Sequence, residues 1–268
     1  MDRFKERYGK WALVAGAAEG IGEGFSAHLA SLGMNIVLVD NNLDAMQRLS
    51  TKISEEIQVK IRQVHLDLAL PEASEFLLQS ISDLDCRLLV YVAAYSRVKP
   101  FLSTDTEELE RYINVNNRTP IQLVHGFASL LKLKNRSGGI LLVSSLAGLL
   151  GPPLVATYAA TKGFLIRLAE SLSTEFKPIG IDITVCCAGL TATPTYLANT
   201  PEKTRKRTKA MDPSEMADYG IRKLGKKAVC IPGWKNRLNF FLLLRILPRA
   251  ISLKIMEKTM RKMYEITR

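Results

Sequence analysis

The chain has 268 residues, 47% of them hydrophobic, with 37 Lys/Arg against 26 Asp/Glu and a formal charge of +11. That length supports one large domain with a substantial core, and four cysteines with no CxxC or Cys/His ligand spacing exclude a disulfide framework and a zinc site. Residues 202–268 hold 18 Lys/Arg and 6 Asp/Glu. The excess charge therefore belongs to the C-terminal quarter and does not mark a nucleic-acid-binding protein, for which no recognition motif is present.

In chain order, the opening Met-Asp-Arg-Phe-Lys-Glu-Arg lacks the apolar core of a secretion signal. Trp11–Ala15 is a short apolar run that reads as a buried strand. It feeds Gly16-Ala-Ala-Glu19-Gly20-Ile21-Gly22 and then a helical pattern with Phe25, Leu29, Ala30 and Leu32 on one side, ended by Gly33. Strand, glycine turn and helix start together form a candidate phosphate cradle, because the turn lets backbone approach a pyrophosphate and the helix N-terminus presents amides to it. Asn35–Asp40 is a second buried strand with an acid at its tip. Asp40 can accept from ribose hydroxyls, and with Glu19 it would repel a 2′-phosphate, which favours NAD over NADP. A helix N-cap is the plainer role for Asp40, and the two are compatible.

Further along, Lys60–Leu66 reads as a strand followed by Asp67, and Gly139–Ser145 as a strand running into an apolar loop. Tyr158 and Lys162 stand four apart at the start of a helical stretch and so share a face. The ammonium can then stabilise a phenolate and lower the Tyr158 pKa, making an acid/base of it. Ser145 can donate a hydrogen bond to the same substrate oxygen. Cys186 and Cys187 lie in an apolar strand as buried residues, consistent with a reducing cytoplasm. Lys203–Lys209 reads as a solvated charged helix, with attraction of an anionic substrate as the sharper alternative. Beyond Arg237, bulky apolar residues alternate with Lys and Arg, with no apolar run near the ~20 residues that span a bilayer. That stretch is either an interfacial helix at an anionic membrane or a packing element, and the break at Pro248 favours packing.

Taken together, these motifs resemble the short-chain dehydrogenase/reductase family over most of residues 8–235. Gly16-x-x-x-Gly20-x-Gly22 is similar to its cofactor turn TGxxxGxG, and Asn114-Val-Asn116 to its active-site Asn. Gly139–Ser145 is similar to the strand with the catalytic Ser, and Ala188-Gly189-Leu-Thr-Ala-Thr193 to PGxxxT. The resemblance implies an adenine contact at Asp67, a nicotinamide carboxamide contact at Thr193 beside Gly189, and cofactor contacts at Ile21 and Ala93. It also implies that Lys162 binds the nicotinamide ribose and that Asn116 holds a water linking Lys162 to solvent. Three positions depart from the pattern. Ala15 replaces the turn's Thr, Tyr91-Val92-Ala93-Ala94 replaces NNAG with its strand-tying Asn, and Ala188 replaces Pro.

The expected fold is a Rossmann-like, doubly wound α/β domain over residues 1–236, with a seven-stranded parallel sheet. A basic amphipathic helical extension follows at 237–268. The expected function is NAD-dependent alcohol/carbonyl oxidoreduction by Asn116, Ser145, Tyr158 and Lys162, with no metal. The resemblance implies that the loop after Thr193 is a lid that sets the substrate and that the apolar stretch from Leu146 to Val155 (Leu149, Leu150, Pro152, Pro153 and Leu154 included) lines the approach to Tyr158, which favours a hydrophobic one. The alternative is a catalytically weak nucleotide-binding scaffold or sensor whose basic tail engages a membrane or partner. The resemblance implies a homodimer or homotetramer through the helices at Thr104–Leu133 and Tyr158–Phe176, the family's usual dimer surface. These carry apolar residues in excess of one buried face, among them Ile121, Leu123, Val124, Phe127, Phe164, Leu165, Ile166 and Leu168. The location expected is cytoplasmic, with peripheral membrane contact through 237–264 left open.

Overall fold

Runs rich in Val, Ile and Leu form the strands β1 Trp11–Ala15, β2 Asn35–Asp40, β3 Ile61–His65, β4 Cys86–Tyr91, β5 Gly138–Ser145, β6 Ile181–Ala188 and β7 Val229–Cys230. A computed structural model of the chain describes residues 2–264. Met1 and the last four residues of the expected extension, 265–268, lie outside the described residues. The strands lie side by side in the order β3-β2-β1-β4-β5-β6-β7, and every neighbouring pair is parallel. The chain works outward from β1 to β3, then crosses back to β4 and works outward the other way. That reversal opens a crevice at the carboxyl ends of β1 and β4.

Alternation along the strands divides the core in two. Ala12, Val14, Ile36, Leu38 and Cys186 face one layer, made by α2 Gly20–Ser31, α3 Leu43–Glu56 and a helix at Pro213–Lys223. Leu13, Val37, Val39, Leu142 and Cys187 face the other, made by helices at Ala73–Ser80, Thr119–Leu133 and Ala156–Phe176. All four cysteines are buried free thiols, as read for Cys186 and Cys187. In chain order the remaining labels are α1 Asp2–Tyr8, α4 Ala73–Ser80, α5 Thr106–Ile113, α6 Thr119–Leu133, α7 Ala156–Phe176, α8 Pro194–Asn199, α9 Glu202–Arg207, α10 Pro213–Lys223, α11 Trp234–Phe241 and α12 Arg249–Tyr264.

The expected apolar excess on α6 and α7 is mostly consumed by the chain's own core. Leu123, Val124, Phe127, Leu165 and Ile166 are buried, while Ile121 and Phe164 each keep 38% of their surface. Between α5 and α6, one wide π-turn covers Asn114–Arg118. A second π-turn, Leu242–Ile246, follows α11. The helix then breaks at Pro248, as its missing N–H requires, and restarts as α12. Ser252, fully buried, donates to the Leu243 carbonyl at 2.6 Å and clasps α12 to the π-turn. That clasp lies within the extension; the extension also meets the domain, where Arg237 donates to the Tyr219 hydroxyl at 3.1 Å. Among the described residues, no helix is long and apolar enough to cross a membrane.

Candidate active site

The glycine turn is shaped by contacts that no side chain would survive. Gly16 has φ +79°, and a Cβ there would sit 2.6 Å from the Ala93 amide nitrogen. A Cβ on Gly22 would lie 1.7 Å from the Gly16 carbonyl oxygen. Gly22 thus lets α2 seat against the turn but does not itself face the crevice, whereas Gly16, Glu19, Gly20 and Ile21 do. Ala15 lacks the family's hydroxyl, yet its carbonyl accepts from both Val92 and Ala93 amides at 2.9 Å, so the main chain holds turn and β4 together. Tyr91 makes up for the missing strand-tying Asn. Its buried hydroxyl donates to the Val115 carbonyl at 2.6 Å, across to the π-turn.

Asp40, at the tip of β2, braces the same turn. Its carboxylate accepts from the Ala18 amide at 2.9 Å and from the Asn42 amide at 3.0 Å, and it borders the crevice. Asn42, not Asp40, caps α3, accepting from the Ala45 amide. Asp67 accepts from the Ala69 amide and pairs with Arg111 at 3.0 Å. Ala93, Gly189 and Thr193 border the crevice as well. Thr193 caps α8 through the Tyr196 amide and lies against Gly20, whose Cβ would meet its methyl at 2.8 Å. Amides at a helix start, a carboxylate at the neighbouring strand tip and a crevice between them fit a dinucleotide.

At the reacting end, β5 delivers Ser145 and α7 delivers Tyr158, and both face the crevice. The Ser145 Oγ accepts from the Ala147 amide at 3.2 Å, which leaves its hydrogen free to be donated. Tyr158 keeps a partly exposed face on the crevice, but it lies deep enough that burial dominates its titration. Burial pushes the phenol up to about 12, with the Ser145 hydroxyl acting the other way. The lowering by Lys162 expected from their spacing is therefore not what governs the phenol here. Lys162 lies 5.7 Å from the Tyr158 ring centre, is itself buried, and donates to the Val143 carbonyl at 2.8 Å. Burial brings its ammonium down to about 8.

Asn116 sits behind the crevice wall, in the π-turn, and its side chain is committed to protein partners. Its oxygen accepts from the Tyr95 amide at 2.7 Å. Its nitrogen donates to the Tyr95 carbonyl and to the Thr161 hydroxyl, both at 3.0 Å. Both amide hydrogens are used, so the carboxamide fastens the loop after β4 to α7 and has no donor left for a water. The π-turn is the extra residue that lets it reach both.

The crevice encloses about 920 Å³. Of the expected apolar wall, Leu146, Pro152 and Val155 line it, whereas Leu149 packs into the core and Leu150 is buried away from it. The opposite wall was not anticipated from sequence. It comes from the extension, through Phe240, Leu243, Met256, Met260, Met263 and Tyr264. Tyr264 stands near enough to Tyr158 to raise its pKa further. The extension is seated directly on the loop after β6, where a Cβ on Gly189 would lie 2.6 Å from the Asn236 side-chain nitrogen. The signal was present as the spacing of Met256, Met260 and Met263, three and four apart, which is a helical face. The lid is pinned at its neck, with Ala192 donating to the Met211 carbonyl and Met211 to the Leu190 carbonyl.

Residues 10–204 match the family model of short chain dehydrogenases. A 7beta-hydroxysteroid dehydrogenase of Clostridium sardiniense is 34% identical over 234 residues, 87% of this chain and 89% of that protein. A very-long-chain 3-oxoacyl-CoA reductase of Debaryomyces hansenii is 31% identical over 191 residues, 68% of this chain and 55% of that protein. A solved structure from a study of 7beta-hydroxysteroid dehydrogenase stereoselectivity superposes with a TM-score of 0.87 at 29% identity, covering 94% of this chain and 98% of that one. A short-chain dehydrogenase from Sphingobium yanoikuyae, in complex with NADPH, shares the fold with a TM-score of 0.76 at 22% identity, covering 90% and 97%.

Proposed function

Because the chain belongs to the short chain dehydrogenase family, we propose that it interconverts a secondary alcohol and a ketone on a bulky, steroid-like substrate, with NAD(H) preferred. It is a dinucleotide-dependent oxidoreductase acting at an alcohol or carbonyl group. The observation that carries the substrate reading is the pairing of Ser145 and Tyr158 with a wall of methionines and aromatics from α11 and α12, all facing one cavity. Soft, adaptable methionines and flat aromatic faces suit a rigid apolar ring system. Curated relatives matched over 89% and 90% of their own length are 7beta-hydroxysteroid dehydrogenases, which points the same way.

In this reading Gly16, Gly20 and Ile21 present the turn and the start of α2 to the pyrophosphate. Asp40 and Asp67 take the adenosine side, and Gly189, Thr193 and Lys162 the nicotinamide side. The nicotinamide, when bound, supplies or accepts the hydride. Ser145 donates to the substrate oxygen. In reduction Tyr158 gives its proton to that oxygen, and in oxidation it takes the proton back. Asn116 and Lys162 hold α7, and so Tyr158, in register with β5. Two carboxylates, Asp40 and Glu19, border the crevice and disfavour a 2′-phosphate. A homo-oligomer through α6 and α7 accompanies the reading, with Ile121 and Phe164 as the exposed apolar contacts.

The test follows the absorbance of the reduced nicotinamide with hydroxy- and ketosteroids, small secondary alcohols and 3-ketoacyl-CoA, using each dinucleotide. Turnover of steroids with NAD(H), lost about 10²–10⁴-fold in Tyr158→Phe with dinucleotide binding retained, is the expected result. Turnover confined to small alcohols or to acyl-CoA overturns the substrate assignment, and tighter binding of NADPH than of NADH overturns the cofactor assignment.

A further inference from the structure

The extension has two chemically different sides. On α12, Ser252, Met256, Met260 and Met263 turn inward, the methionines onto the cavity. Ile251, Lys254, Lys258 and Lys262 recur at three- and four-residue steps on the outer side, and Ile255 stands at the boundary between the two. On α11, Phe240 is buried, while Trp234, Leu238 and Phe241 form one exposed stripe. Trp234 keeps 63% of its surface, Phe241 55% and Ile246, in the π-turn, 61%. Side chains of this size leave more than half of their apolar surface in water.

Charge separates the occupants that could cover them. Residues 234–264 carry eight Lys/Arg and one acid, Glu257, which is already paired with Arg261 at 2.9 Å. A second copy of this stretch would bring a net charge of +7, eight cations less one acid, against an equal charge. An anionic lipid surface meets both requirements at once. Trp and Phe rings settle at headgroup depth, and Lys and Arg reach the phosphates while their stems lie on apolar surface. Position adds a third observation. Leu242 and Ile255 are exposed, 42% and 41%, and also line the cavity, so the outer face runs up to the cavity's rim.

From these observations, and resting on the apolar-substrate reading above, we propose that the outer face of α11 and α12 docks the protein on anionic phospholipid bilayers and sets the cavity rim against the lipid. A hydrophobic alcohol or ketone dissolved in the bilayer then reaches Tyr158 without crossing bulk water. The same roof helices that close the cavity are the ones that touch the membrane.

The experiment is vesicle flotation of the full chain, with phosphatidylcholine alone and with phosphatidylcholine containing phosphatidylglycerol, at low and high salt. Binding is expected with the anionic vesicles at low salt, weakened about tenfold by high salt or by omitting phosphatidylglycerol. The triple variants W234S/F241S/I246S and K235E/R245E/K258E, all at exposed positions, should each lower it about tenfold while dinucleotide binding and the melting temperature stay unchanged. Absence of binding at low salt, or binding untouched by both variants, overturns the proposal. So does self-association in light scattering that the variants abolish without any vesicle binding, which assigns the face to a second copy. Flotation that persists in a protein inactive on every hydrophobic alcohol upholds the docking face and removes the substrate reading instead.

Discussion

Burial, not the Tyr158–Lys162 pairing, sets both titrations at the reacting end. A phenol held at about 12 is a proton donor throughout the neutral range. Ketone reduction should therefore not lose its proton donor from about pH 6 to 9, so that any break near pH 8 belongs to Lys162, while alcohol oxidation should climb with pH as the phenolate fraction grows. Initial rates in both directions across that range check it, and an oxidation rate flat above neutrality would place the base elsewhere. Lys162 yields a stability prediction. Its ammonium titrates near 8 in the folded protein against an ordinary 10.5. Between those values the unfolded chain holds a proton that the folded one does not, so this group's contribution to stability rises with pH through that window and is lost as pH falls to 8. Buried thiols and phenols oppose it, since Cys86 and Cys187 are pushed up to about 12 and lose stability as pH rises beyond their ordinary range. Only the difference between the native chain and Lys162→Met isolates the lysine. In urea titrations that variant should gain most, by roughly a few kcal/mol, at pH 7 and least near pH 10.5.

Among the elements, the wide turn at Asn114–Arg118 is the junction on which the site depends. It receives Tyr91 from β4 and sends Asn116 to Tyr95 and Thr161. Tyr91→Phe leaves the buried Val115 carbonyl without its donor and should cost about 1–3 kcal/mol, read as a lower denaturation midpoint with an unchanged slope. The glycine turn, five of the seven strands, the break at Pro248 and the tyrosine–lysine face were legible in the sequence, because each rests on residues a few positions apart, whereas β4 and the two-residue β7 were expected only through the family fold. Asn116 was legible as a motif, but its side-chain partners Tyr95 and Thr161 were not, since they lie 21 and 45 positions away. Tyr91 looked like a lost tie for the same reason. The apolar stretch after Ser145 was half right. Its composition marks burial, but only tertiary packing decides that Leu146 faces the cavity and Leu149 the core. The roof was missed because a helix that packs on a cavity and one that lies on a membrane share one pattern, and in this chain α12 carries one side of each kind.

For the molecule as a whole, the proposed function divides the chain into a dinucleotide half, the sheet and glycine turn before Gly233, and a substrate half closed by α11 and α12. A chain ended after Asn236 loses the burial of Phe240 and Met260, worth about 1.5–3 kcal/mol each. It should melt lower yet still bind dinucleotide in calorimetric titration, while the KM for a steroid rises far more than that for a small alcohol. Loss of dinucleotide binding on that truncation would mean the two halves do not separate in this way. The roof is also one unbroken stretch of chain, residues 234–264, seated on Gly189 through Asn236. That contiguity gives the protein a modular inheritance. On the proposed function, selection could reshape which molecules enter by altering some thirty consecutive codons while the upstream site stays as it is, and a graft of the corresponding stretch from a relative should carry its substrate preference with it.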